Sequence, residues 1–364
     1  MLYQFEFRSY QRKFKRPLQT SHGIWDIREG IILRLVGENG RIGWGEIAPL
    51  SWFGSETFDQ ALDFCNSLSA NLSEEMIFAI SAELPACQFG FESALSNFLN
   101  SFLGSAWEHR SGGSASILHA AEPPEKHSQA EPGNEENSLL PEDKIPKNRF
   151  SGLLPAGETA LSALQMLWLE GYRTFKWKIG VAAIEQELKI FQQLIKAMHN
   201  LCDRQPAFLR LDANGGLSYS QAKTWLEACD KVKATPDFSP DIEFLEQPLP
   251  VTQFQEMVEL NAIYATAIAL DESAANLDRI QECYSQGWRG IFVIKPAIAG
   301  SPSQLRKLCQ THNIDAVFSS VFETQIGRQA ALNLATELSL NKRALGFGTD
   351  CWFDDNHSIL DFRF

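Results

Sequence analysis

From Phe150 onward the chain settles into a rhythm that limits its fold more than any other feature: short β-rich runs alternate with helical stretches. Gly152–Leu154 precedes a helix over 158–170, Thr174–Ile179 one over 183–200, and Ala207–Leu211 one over 218–233. Ile242–Leu245 then leads to 252–264, Ala267–Leu270 to 276–286, Gly290–Ile294 to 302–312, and Asp315–Ser319 to 325–340. Ala344–Phe347 closes the series. Eight strands with seven intervening helices predict a parallel (β/α)7β barrel over residues 150–345. An open doubly wound sheet is the competing reading of the same periodicity. A length of 364 residues suits one barrel with an addition.

The addition precedes the barrel. Residues 1–103 carry strand-like stretches from Met1 through Glu6–Tyr10 and at Gly30–Val36 and Gly43–Ile47, with helical patterns around 56–71 and 87–103. Asn39-Gly40 supplies the positive φ of a tight hairpin turn. The glycines at 37, 40, 43 and 45 fall in that hairpin rather than at a strand-to-helix turn, which argues against a dinucleotide loop. Residues 104–149 are rich in Ser, Gly, Pro, Glu and Asn and read as a flexible polar insertion or linker. Its pair Glu135-Glu136 reads as solvated. Residues 346–364 form a C-terminal tail.

A net charge of −13 argues against a nucleic-acid partner, because there is no positive field to exchange for phosphate counterions. The seven cysteines are scattered without a CxxC and read as reduced, mostly buried thiols. The N-terminus lacks an apolar signal core, and no apolar run approaches the roughly 20 residues of a membrane span. The expectation is a soluble cytoplasmic protein.

In a βα barrel, chemistry sits at the C-terminal ends of the strands. Strand two ends in Lys176-Trp177-Lys178, which puts both lysines on one face. Strands three, four, five and six end in Asp212-Ala213-Asn214, Glu246-Gln247-Pro248, Asp271-Glu272-Ser273 and Lys295-Pro296. Singly, each has a dull explanation: an Asp before a helix caps it, and a Lys in a strand reaches for water. Together, three acids on consecutive strands converge and repel unless a cation neutralises them. Oxygen ligands without Cys or His select a hard metal, and open coordination positions suit Mg²⁺. Lysines on both sides of the acids, their pKa lowered by neighbouring cations, supply a general base. The metal favours an enediolate, so the constellation predicts proton abstraction next to a carboxylate.

In order along the chain, Lys176, Lys178, Asp212, Glu246, Asp271 and Lys295 resemble the enolase superfamily, in its muconate-lactonising-enzyme-like subgroup. Within it the chain resembles the o-succinylbenzoate synthase family of the cyanobacterial type. The carriers are Trp44-Gly45-Glu46-Ile47-Ala48-Pro49-Leu50, Phe53-Gly54-Ser55-Glu56-Thr57, Phe175-Lys176-Trp177-Lys178-Ile179-Gly180, Leu211-Asp212-Ala213-Asn214-Gly215 and Ser319-Ser320-Val321-Phe322-Glu323-Thr324. The resemblance implies a modified TIM barrel with an α+β N-terminal capping domain and a tail that returns to the cap. It also implies a Mg²⁺-dependent carbon–oxygen lyase (Mn²⁺ able to substitute) of menaquinone or phylloquinone synthesis. The substrate would be the small carboxylate 2-succinyl-6-hydroxy-2,4-cyclohexadiene-1-carboxylate. Lys178 would then remove the proton and assist departure of hydroxide from the same face. Lys295 would stabilise the enediolate from the opposite face, with Lys176 beside the carboxylate and metal.

N-succinylamino acid racemases use the same metal and lysines and stay a rival. Dipeptide epimerases of the superfamily carry an acid-x-acid pair after the last strand, whereas Asp350 is followed two residues on by Trp352. Overall sequence character disfavours muconate cycloisomerisation. A metal-binding scaffold that has lost its chemistry would lack a ligand or a lysine, and none is missing. Leu18–Trp25 and Pro49–Thr57 are candidate covers for the barrel mouth, with ordinary loop packing as the alternative. His22 reads as a substrate hydrogen-bond donor or a surface residue. Phe53, Ser55 and Asn214 are further candidate contacts. Ser319, Ser320 and Glu323 are candidates for the succinyl or carboxylate group, against helix capping by the serines.

Overall fold

Alternating burial organises the N-terminal part of the chain. The computed structural model describes residues 1–20, 23–108, 145–202, 205–235, 240–349 and 352–353. Strand β1 (Leu2–Thr20) pairs antiparallel with β2 (Gly23–Gly37), from Tyr3 opposite Gly37 to Thr20 opposite Gly23. Both outrun the stretches expected from hydropathy, because pairing extends through a mostly polar outer half in which Arg12, Phe14 and Arg28 are buried. Its register shifts between Lys13 and Leu18, the segment containing Pro17, which has no N–H to give the ladder. The Asn39-Gly40 turn joins β2 to β3 (Ile42–Ile47), with Gly40 at φ +75°. Helix α1 (Phe58–Ser67), strand β4 (Asn71–Ser73), and helices α2 (Glu74–Phe78) and α3 (Pro85–Glu108) complete this part, in sheet order β3-β2-β1-β4. A Cβ on Gly43 or Gly45 would run into the carbonyls of Ala94 and Gly90, so these glycines let α3 lie directly on β3.

Helix α3 continues through 104–108, and Lys147–Arg149 forms a 3₁₀ turn, so both ends of the expected linker are structured. Residues 109–144, including Glu135-Glu136, lie outside the described residues.

The second half alternates as the periodicity predicts. It runs β5 (Ser151–Leu154), α4 (Thr159–Leu169), β6 (Thr174–Lys178), α5 (Ile184–Cys202), β7 (Phe208–Asp212), α6 (Tyr219–Lys233) and β8 (Asp241–Glu246). Then come α7 (Phe254–Ile263), β9 (Ile268–Leu270), α8 (Leu277–Ser285), β10 (Ile291–Ile294), α9 (Pro296–Ala299), α10 (Pro302–His312), β11 (Ala316–Phe318) and α11 (Gln325–Leu338). The parallel strands β5 to β11 are hydrogen-bonded in sequence order. The expected eighth strand is reduced to two bridging residues: Leu345 pairs with Phe150 and Gly346 with Ser319. Those bridges close the sheet into a barrel and exclude the open doubly wound alternative. The segment Ala344-Leu345-Gly346-Phe347-Gly348 lacks the β-branched side chains that extend a strand. Helix α9, right after Lys295, was not expected; all four of its residues are buried.

Phe244, Ala269, Ile291, Val293 and Val317 pack as a small cluster among the barrel strands, apart from the main core. Nearby, Arg210 Nε donates to Glu243 at 2.7 Å, and Arg343 joins Glu243 to Asp315 at 2.8 and 2.7 Å.

One carboxylate fastens the N-terminal sheet to the barrel. Glu46, on β3, is fully buried and accepts from the N–H groups of Thr324 (2.9 Å) and Gly327 (2.9 Å) at the start of α11. It also accepts from Tyr10 Oη (2.5 Å) and from the Thr324 hydroxyl. A negative charge at a helix N-terminus meets both unpaired N–H groups and the positive end of the dipole. Beyond the barrel, Phe353 stacks on Phe14 with centroids 4.7 Å apart, and Arg12 lies 3.7 Å over the Phe353 ring. No helix among the described residues is long and apolar enough to cross a membrane.

Replacing Glu46 by Ala takes the acceptor away from buried donors on Thr324, Gly327 and Tyr10. A loss of about 3 kcal/mol is expected, read as a lower urea midpoint, whereas Tyr10→Phe should cost about 1 kcal/mol.

Candidate active site

The strand ends converge because the parallel register aligns them. Lys178 is opposite Asp212, and Asp212 is opposite Glu246, across three neighbouring strands. Asp271 follows β9, and Lys295 follows β10. These five residues and Lys176 line one cavity of about 380 Å³ at the barrel mouth. A second groove, about 450 Å³, lies between α5 and α6 and holds none of the predicted site residues.

Lys176 Nζ bridges Asp212 Oδ2 (2.9 Å) and Glu246 Oε1 (2.7 Å). Lys295 Nζ pairs with Asp271 Oδ1 and lies 3.7 Å from the centre of the Phe53 ring. Among the described residues Lys178 has no hydrogen-bond or ion-pair partner. As placed, no three Asp, Glu, His or Cys side chains among the described residues share a metal-holding position. Ammonium groups instead take up the faces of the carboxylates. The donor set nevertheless fits a hard divalent cation. It consists of buried carboxylates in excess of the lysines that touch them, without sulfur or imidazole.

That excess shows in the protonation equilibria. Burial, then the neighbouring Asp212 charge, pushes Glu246 up to about 8 despite Lys176. Burial, then Asp271 and Asp212, pushes Glu272 up to about 7. Burial disfavours the Lys176 ammonium, but Asp212, Glu246 and Asp271 outweigh it and hold its pKa above the usual lysine range. For Lys176 this reverses the lowering expected from a cluster of cations, since its nearest neighbours are anions.

Gln247 sets the acids in place. Its side-chain oxygen accepts from the Asp271 and Ser273 N–H groups (both 3.1 Å), and its amide donates to Ser273 Oγ (2.8 Å) and Leu249 O (2.9 Å). Asn214 donates its N–H to Asp212 Oδ1 (3.1 Å) and its side-chain amide to Glu272 Oε1 (3.2 Å).

Of the candidate substrate contacts, Phe53, Asn214, Ser319 and Ser320 line the cavity. Ser55 and Glu323 do not. Ser55 Oγ accepts from Leu50 N (2.7 Å) and serves its own turn. Glu323 is buried behind the mouth, accepting from Ser320 Oγ (2.9 Å) and Val321 N (2.7 Å). His22 lies outside the described residues. The lining also includes Arg210, Glu272, Trp25, Trp52, Phe322 and Trp352, which the sequence reading did not name as site residues. Two-residue alternation from Asp212 points to Arg210, and adjacency to Asp271 points to Glu272. The aromatic wall comes from four separate segments: Trp25 and Trp52 lie in the two stretches expected to cover the mouth, and Phe322 and Trp352 have no comparable signal. Trp25 meets Trp52 edge-on at 4.8 Å and Phe322 at 5.5 Å.

A closed parallel barrel with acids and lysines on consecutive strand ends defines a class, and residues 158–359 match the family described as Enolase C-terminal domain-like. Residues 9–98 match the one described as MenC, N-terminal domain. The chain is 35% identical to the o-succinylbenzoate synthase of Thermosynechococcus vestitus, over 96% of this chain and 93% of that protein. It is 24% identical to the o-succinylbenzoate synthase of Bacillus subtilis, over 88% and 78% of the two chains. The crystal structure of o-succinylbenzoate synthase from Thermosynechococcus elongatus BP-1, complexed with Mg in the active site, superposes with a TM-score of 0.73. It shares 34% identity, covering 96% of this chain and 94% of that one. The chain belongs to the o-succinylbenzoate synthase family, within the enolase superfamily.

Because Glu246 and Glu272 titrate near 8 and 7 rather than at the ordinary 4.5, the fold binds more protons than the unfolded chain in that window. Their effect is to lower stability as pH rises from about 4.5 to 8. Burial gives Glu56 and Glu323 the same sign. In EDTA the urea midpoint should therefore be lower at pH 8 than at pH 5.5, and Glu246→Gln should flatten the difference.

Proposed function

We propose that this chain converts 2-succinyl-6-hydroxy-2,4-cyclohexadiene-1-carboxylate to o-succinylbenzoate and water, a syn elimination that makes the ring aromatic. The observation that supports it is the contrast among the lysines. Lys176 and Lys295 are tied to carboxylates, while Lys178 reaches the same cavity without a partner among the described residues.

Lys178 Nζ takes the proton from the ring carbon that bears the carboxylate, and the C–H electrons move into an enediolate. The resulting Lys178 ammonium returns that proton to the leaving hydroxyl on the same face. The C–O bond breaks, water departs, and the electron pair of the enediolate completes the aromatic ring. Lys295, on the far side of the acid-bearing strands, keeps its positive charge against the opposite face of the ring. Asp212, Glu246 and Asp271 would hold Mg²⁺, or Mn²⁺ in its place, with Lys176 beside them. When bound, the metal supplies fixed positive charge for the substrate's carboxylate oxygens. The relative solved with Mg in its active site supports that choice.

The second reading is racemisation of N-succinylamino acids, favoured by lysines on both flanks of the acids. Purified protein with Mg²⁺ should form o-succinylbenzoate, followed by its absorbance, and chelation should stop it. Lys178→Ala should lower kcat by about 10²–10⁴-fold, the share of a positioned acid–base. Dehydration retained in Lys178→Ala would remove the assigned base. Racemisation without dehydration would replace the reaction.

A further inference from the structure

We propose that Phe53 is a positioning residue for Lys295: the cap supplies an aromatic face that holds this ammonium in place before substrate arrives. The functional interest of that contact rests on the role proposed above for Lys295. Lys295 Nζ sits 3.7 Å from the Phe53 ring centre while paired with Asp271. A lysine side chain has several rotatable bonds, and one ion pair at its tip leaves the chain free to swing about it. A ring face that attracts the cation electrostatically supplies the second constraint.

The turn that carries Phe53 is fixed from both parts of the protein. From the cap, Arg28 is buried and donates to Ala48 O (2.5 Å) and Pro49 O (2.8 Å), just before the turn. Ser55 Oγ accepts from Leu50 N (2.7 Å) and donates to Glu56 O (3.1 Å), drawing the two ends of the turn together. Between them Ser51–Phe53 is a 3₁₀ turn, with Phe53 N donating to Leu50 O (2.9 Å) and Gly54 N to Ser51 O (3.2 Å). From the barrel, Gly54 packs against the loop after β9. Its φ is +115°, and an added Cβ would stand 3.0 Å from Ala275. Asn276 Nδ2 donates to Gly54 O at 3.5 Å. Asp271, the partner of Lys295, opens that same loop. The turn that brings the ring and the loop that brings the carboxylate are therefore one packed unit, and Lys295 lies between their tips. A residue serving only as cavity wall would need no such anchoring on both sides.

Steady-state kinetics and NMR of protein labelled at lysine test this. The ε-CH₂ resonance of Lys295, identified by its loss in Lys295→Ala, should lie upfield of the other lysines because it faces the ring. It should return to the common position in Phe53→Leu and stay upfield in Phe53→Tyr. In Phe53→Leu kcat should fall about 10-fold with KM changed less than about two-fold, as expected for loss of a partly buried cation–π contact. Phe53→Tyr should restore kcat. Ser55→Ala, which does not line the cavity, should move both readouts part of the way. An unshifted Lys295 resonance in the wild type, or a Phe53→Leu variant with raised KM and intact kcat, would overturn the proposal and make Phe53 a substrate wall. Should the wild type show no dehydration while the resonance still depends on Phe53, the reaction assignment fails and the positioning role stands.

Discussion

Parallel pairing places Asp212 and Glu246 opposite each other on adjacent strands, close enough for a single ammonium to touch both, with Asp271 one strand further on. Carboxylates at that spacing repel, and burial removes the water that would screen them. The surrounding arrangement answers that repulsion. Lys176 spans two of the acids and Lys295 takes the third, yet Glu246 and Glu272 still titrate well above the ordinary glutamate range. A site with unmet demand for positive charge is prepared for a divalent cation and for a substrate whose own carboxylate needs one. Gln247 keeps the acids from relaxing apart by fixing the Asp271 backbone to the end of β8.

The covering sheet is part of the same solution, because the barrel alone leaves its mouth open. Glu46 anchors β3 on the first turn of α11, and α11 begins directly after the Ser319–Thr324 segment. Phe322 in that segment has a φ of +65°, a conformation costly for an aromatic residue. That conformation accompanies ring contacts with Phe14, Trp25 and Trp352, so residues of the hairpin, the barrel and the tail share one aromatic wall. An apolar wall beside the acids keeps local dielectric low and strengthens every charge interaction in the cavity.

The barrel is legible because each strand is a short β-rich run followed by a helix, and the charges that line its mouth because they recur at strand ends. Alternation alone put Lys176 and Lys178 on one face, and both line the cavity. The hydropathy of Ala344–Phe347 suits a full strand, but only Leu345 and Gly346 bridge. Ser55 and Glu323 carried polar side chains in the right segments, yet local turn hydrogen bonds claim both. A sequence pattern shows which segment approaches a site but not which way a loop residue turns. For the same reason the Phe53–Lys295 contact had no sequence signal, since its partners are 242 positions apart and meet through two loops.

Depth explains why lysines two residues apart on one strand take different work. Lys176 is level with Arg210 in the neighbouring strand, and Lys178 is level with Asp212. One pleat repeat, roughly 6–7 Å along the strand, separates them. The deeper lysine reaches up into the carboxylates and is held there as their counter-ion. The outer lysine starts level with the acids, so its side chain extends beyond them into the mouth, where a ring can sit against it. Moving this strand by one residue would turn both lysines away from the cavity together. Moving it by two would put Lys176 at the mouth and carry Lys178 clear of the acids. The KxK spacing thus gives one strand a cation paired with the acids and, in the proposed reaction, a proton carrier, and the parallel register with β7 decides which is which.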